Sequence, residues 1–132
     1  MNDFALNELE LAPPEVVIQS ARDFAVALVE TPQFKTFEAA TDRLNNDLIA
    51  QRAMEAYQTK QESLQTMLML NAVSAEERAD LEQLRMAFMN QPSVVMYFQA
   101  QADLMAICQA SADWLSEAIG LNFAAACGSG CC

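Results

Sequence analysis

The chain has 132 residues, 53% of them hydrophobic and 19% charged. That length fits one domain, and that balance is not the polar, highly charged one of intrinsic disorder. The formal charge is −11 with only 7 basic residues, a field that opposes direct contact with a phosphate backbone.

No apolar run approaches the ~20 residues of a membrane span. Asp3, Glu8 and Glu10 stand where a signal peptide would carry positive charge. A cytoplasmic protein with no nucleic-acid or membrane partner is therefore expected. Only 3 Gly and 4 Pro interrupt the chain, and good helix formers dominate it. The expected fold class is all-α: an antiparallel helical bundle of about four helices with a long helical hairpin. Residues 1–126 read as a single helical domain and 127–132 as a Cys-rich C-terminal tail.

Pro13 and Pro14 open the first helix, since a proline in the first turn costs no hydrogen bond. Val17, Ala21, Phe24 and Leu28 recur at helical steps and form one face of a helix over roughly 13–30. Thr31-Pro32 then reads as a cap followed by a proline at the first helical position. Phe34, Phe37, Leu44 and Leu48 make the apolar stripe of the helix it opens. No Gly or Pro occurs from Gln33 to Asn71. That spacing predicts one helix of about 38 residues and nearly 60 Å, too long for a compact bundle. Gln51 to Gln65 is polar and reads as a solvated arm.

Ser74-Ala75-Glu76-Glu77 is a capping box and starts a third helix, which carries Leu81, Leu84 and Phe88. Pro92 ends it near Gln91 and opens the next. In this last helix Val94, Tyr97, Gln101, Leu104, Cys108, Ser111, Leu115 and Ala118 follow steps of three and four, the spacing of a bundle or a dimer seam. Gly120 is placed to stop it with a left-handed residue. No basic residue follows Arg85, so the C-terminal third suits a buried or partner-covered surface.

Chemistry-bearing groups are sparse. The chain has no His, the commonest general base and metal ligand, so an enzyme is not expected. Glu76, Glu77, Asp80 and Glu82 lie in the first turns of a helix, where the dipole favours negative charge, and read as structural. The eight Met, Met67 and Met69 among them, read as core packing before adaptable binding surface. Cys108, on the apolar stripe, reads as a small buried hydrophobe before a ligand.

Cys127, Cys131 and Cys132 place three thiols in six residues around Gly-Ser-Gly. Thiolates suit a soft metal or an iron–sulfur cluster, and Gly allows tight turns towards sulfur. The spacing is not a standard signature, and a fourth ligand must come from Cys108, a second subunit or another protein. The competing reading is a tail with incidental thiols. A redox role for Cys131-Cys132 ranks last, because no basic group is near to lower a thiol pKa.

Two segments resemble the YlbF/YmcA (Com_YlbF) family: Thr31-Pro32-Gln33-Phe34 with Phe37, Ala40 and Leu44 to Asp47, and Asn90-Gln91-Pro92-Ser93-Val94 with Tyr97, Ala100 and Leu104. The ending Ile119-Gly120-Leu121-Asn122-Phe123 before a Cys-rich tail is similar too. The likeness runs from about Val16 to the end. It implies a helical bundle with a long hairpin, often dimeric, in a cytoplasmic bacterial regulator that works through protein complexes with itself and with other regulatory proteins. In well-known members the complex carries iron–sulfur clusters, supports ribonuclease Y in mRNA maturation, and affects competence, sporulation and biofilm formation. Of the residues here, Cys127, Cys131 and Cys132 are the ones carried over as ligands, with the cluster shared with a partner. The alternative is a structural or chaperone-like helical oligomerisation module with no metal.

Overall fold

A computed structural model of the chain describes residues 13–126. Six helices follow one another: α1 (Pro14–Val29), α2 (Pro32–Asn45), α3 (Leu48–Met69), α4 (Ala75–Met89), α5 (Pro92–Ile119) and the short α6 (Phe123–Ala126). The all-α expectation holds.

Local chemistry explains most boundaries. The Thr31 hydroxyl donates to the Leu28 carbonyl at 2.7 Å and accepts from the Phe34 amide at 3.2 Å, so one side chain closes α1 and opens α2. Ser74 accepts from the Glu77 amide at 3.1 Å and starts α4; among the described hydrogen bonds this is the half of the capping box that forms. Pro92 opens α5, with Gln91 extended before it. Gly120, at φ 67°, ends α5 in the left-handed conformation.

The single long helix expected from Gln33 to Asn71 is instead two. Asn46 leaves helical geometry, and Asp47 starts α3 by accepting the Ile49 and Ala50 amides, both at 3.1 Å. Neither Gly nor Pro is needed, because a carboxylate at the cap satisfies two of the free amides of a new helix. The Gln51 amide donates across the break to the Asn45 carbonyl. Leu48, expected on the stripe, is 64% exposed as a result.

The turn after α3 is a Schellman motif. Asn71 takes φ 51°, the Ala72 amide donates to the Met67 carbonyl at 2.8 Å, and the Asn71 amide donates to the Leu68 carbonyl at 3.1 Å. Arg78 then donates to the Asn71 side chain at 2.8 Å, tying α4 to the turn. The resulting α3–α4 pair is the long hairpin. The polar arm read at Gln51 to Gln65 is its first limb, which buries Leu64 and half-buries Ala53, Tyr57 and Lys60.

The second packed pair is α2 against α5. Phe37 meets Tyr97 with ring centroids 5.4 Å apart, the Arg43 guanidinium lies 2.9 Å from the Met96 sulfur, and Ser93 reaches Asp47. Residue numbers rise on one helix as they fall on the other, so the two run antiparallel. Ala40, Val94 and Ala100 are buried along this pair, with Ser93 at its end. Small residues let the helix axes approach closely. Leu64 and Val73 bury separately within the hairpin. The core is thus thin, and Val94 and Ser93 are its largest fully buried side chains.

Candidate functional site

The helix that the core leaves out is α1. None of its residues is buried, and Leu28 alone is half-buried. Its sequence is apolar nevertheless: Val16, Val17, Ile18, Phe24 and Val26 are all more than 45% exposed. A helix that is apolar on several sides normally ends up covered.

Between α1 and the second half of α5 lies an open groove of about 1060 Å³. Val17, Ala21 and Phe24 form the α1 wall, and Ala106, Ile107, Ala110 and Trp114 form the α5 wall. Phe123 of α6 joins at one end, while Gln33 and Asp103 supply polar atoms. The Phe123 amide donates to the Ser116 hydroxyl at 3.0 Å, which turns α6 back after Gly120. Ala and Ser on both walls leave the space open. Trp114, the chain's single Trp, stands 67% exposed and Phe24 47%. Concave apolar surface with few polar groups is the usual form of a binding site.

A second apolar surface is the hairpin tip, where Met69 and Leu70 are 81% and 73% exposed and Met67 is also exposed. The Met of the tip therefore supply adaptable surface and not the core packing expected of them.

The α5 stripe holds in part. Val94 is buried, and Tyr97, Gln101, Leu104, Ser111 and Leu115 are half-buried. Cys108, expected in the core, is exposed, as is Ala118. Ile107, next to it, is half-buried instead and lines the groove. Cys127, Cys131 and Cys132 lie outside the described residues. Among the described residues, no three His, Cys, Asp or Glu side chains gather as a metal site would need.

The ionisable groups with displaced pKa values are structural. The Ser93 hydroxyl donates to Asp47 at 2.5 Å, and that bond, aided by the Ala50 and Ile49 amides, holds the carboxyl below its ordinary range. Arg85 donates to Glu82 at 2.7 Å, lowering the carboxyl and raising the guanidinium. Both members of that pair are exposed and sit one helical turn apart, so it does not mark a reactive site. Glu76 and Glu77 occupy the first turn of α4, as their sequence position implies.

The described residues thus form an all-helical fold with a thin core, an open apolar groove and an exposed apolar tip. A family model described as control of competence regulator ComK, YlbF/YmcA, matches residues 17–120. The match covers most of the chain, and the chain belongs to this family, which is a family of regulators. No curated protein and no solved structure matches it. Among the described residues, no helix is long and apolar enough to cross a membrane.

Proposed function

We propose that this protein is a cytoplasmic regulatory adaptor that acts by joining protein–protein complexes, with copies of itself and with other regulatory proteins. The observation that carries this reading is the uncovered apolar groove between α1 and α5 in a member of a regulatory family. Apolar surface on this scale is kept for contact, since exposed it invites aggregation. Family membership extends the reading to control of competence, and the likeness to well-known members extends it to ribonuclease Y-dependent mRNA maturation, sporulation and biofilm formation.

The same reading gives the tail an iron–sulfur cluster. Three thiols in six residues fit a thiolate-preferring group, and the set is one ligand short of four. Cys127, Cys131 and Cys132 would hold it, and a partner, or Cys108, would complete it. Such a group would tie the tail to whichever chain supplies the last ligand.

Deleting the gene in its own host and mapping transcript 5′ ends tests the regulatory part. Altered processing, restored by the wild-type gene, is expected; unchanged transcripts and unchanged competence would overturn it. Anaerobic purification with iron and sulfide analysis tests the cluster. Iron and sulfide that vanish when the three tail cysteines become Ser are expected. A colourless, iron-free protein, alone and with its captured partners, leaves a helical oligomerisation module without metal.

A further inference from the structure

We infer that the α1/α5 groove receives an amphipathic helix of a different protein, one whose apolar stripe is flanked by Lys or Arg. This rests on the adaptor reading and names the chemistry of the partner. The α5 wall runs from Asp103 to Leu115, about 18 Å or roughly three turns of an occupant helix. Its apolar walls suit the i, i+3/i+4, i+7 anchors by which a helix lies in a groove.

Charge decides which helix fits. Asp103, Ala106, Ala110, Asp113 and Glu117 succeed one another along α5 at three- and four-residue steps; Asp103 lines the groove, Asp113 and Glu117 continue the same flank, and all three acids are exposed. On the opposite helix Asp23, also exposed, is three residues after the wall residue Ser20 and so flanks that wall without lining it. Asp23, Asp103 and Asp113 accept glutamine amides from Gln19, Gln99 and Gln109, and none of the four acids is in an ion pair among the described residues. Helices α5 and α6 contain no cation. The one cation of α1, Arg22, projects to the helix side away from Val17, Ala21 and Phe24 and shares that side with Glu15.

A second copy of the chain is the poorer occupant. A two-fold contact sets the same patch against itself, so these acidic rims would face each other on chains of charge −11. A basic-flanked helix turns the same rims into complementary charge and gains from low-salt steering.

The test uses the full-length chain and a synthetic 18-residue helix with a Leu stripe and Lys flanks. A Glu-flanked version and a scrambled Lys version serve as comparisons. Trp114 lies in the groove and is the chain's single Trp, so its emission reports binding directly. The Lys-flanked peptide is expected to shift the emission to the blue. It should bind at least about tenfold tighter than either comparison and weaken as salt rises from about 0.05 to 0.5 M.

Ala106→Gln/Ala110→Gln, neutral and on an exposed helix face, should keep the helical circular dichroism and lose about tenfold in affinity. Asp103→Asn/Asp113→Asn/Glu117→Gln, which leaves Asp23 in place, should narrow the preference for the Lys peptide over the Glu peptide and weaken the salt dependence. Equal binding of Lys- and Glu-flanked peptides by the wild type, or binding of neither, overturns the proposal. So does a free chain that sediments as a dimer with Trp114 already shielded, since a second copy then covers the groove. The gene deletion separates the two readings: unchanged regulation with intact peptide binding defeats the adaptor role alone, and altered regulation with no peptide binding defeats the groove alone.

Discussion

The Ser93 hydroxyl lies 2.5 Å from the Asp47 carboxylate and links the first turn of α5 to the break between α2 and α3. Asp47 therefore acts twice. One oxygen caps α3 and the other holds a buried serine 46 residues away. Because these bonds favour the charged carboxyl, its pKa is lowered on folding. The unfolded chain then binds the proton more readily, so the stability this group contributes is fully present above the ordinary carboxyl pKa of about 3.9. It is lost as pH falls below that value through the folded pKa. Asp47→Asn should keep the cap, lower Tm at pH 7, and approach the wild type at acid pH. Thermal unfolding across that range checks it. Ser93→Ala should also lower Tm, and the double variant should lose less than the two single losses together.

A thin core makes each buried side chain count. Val94 is 0% exposed and sits where α5 begins to pack on α2. Val94→Ala should cost ~2 kcal/mol through lost transfer energy and a residual cavity. For a domain of this size that is roughly 8 °C in Tm. Ala100 is 3% exposed on the same helix. Ala100→Leu should destabilise by a similar ~2 kcal/mol, because extra volume there forces α2 and α5 apart. Calorimetry of both variants tests this, and an unchanged Tm for either would contradict the packing.

How much of this was legible in the sequence depends on the range of the interaction. Thr31, Ser74, Pro92 and Gly120 act within a turn of themselves, so their roles can be read from neighbouring residues. The break at Asp47 is harder to see. Its cap is local, but its second bond goes to Ser93, and Asn45-Asn46-Asp47 lacks the Gly or Pro that announces a stop. The periodic stripes gave the covered faces of α2, α4 and most of α5. They could not say what covers a face: Val17, Ala21 and Phe24 repeat as a core stripe would, yet they line an open groove. The groove itself depends on how the Thr31 turn sets α1 relative to α2, which periodicity does not encode.

Gly120, like Asn71 in the turn after α3, holds a left-handed backbone conformation that restricts the residue type. At φ 67°, a side chain would meet nothing within 4 Å, so the cost of substitution is conformational and not steric crowding. Gly120→Ala should destabilise by ~1 kcal/mol. Gly120→Asn should cost about half as much, since Asn tolerates the left-handed region. Because Gly120 turns the chain towards α6 and Phe123, the Ala variant should also change Trp114 emission at the groove end. Thermal unfolding and fluorescence of the two variants decide it.

Cys108 separates the sequence reading from the structure most directly. A thiol on a covered stripe resists aqueous reagents until the protein unfolds, whereas an exposed one reacts in the native state. The structure exposes Cys108 and half-buries Ile107 next to it. With Cys127, Cys131 and Cys132 replaced by Ser, one thiol should react with a chromogenic disulfide in the absence of denaturant. Its rate should be within about tenfold of that of a free cysteine peptide at the same pH. A thiol that reacts only after urea is added would return Cys108 to the core and rotate the second half of α5 by about one residue, 100° on a helix of 3.6 residues per turn. That rotation would also turn Trp114 and Ala110 out of the groove, so a simple thiol titration bears on the binding surface as well.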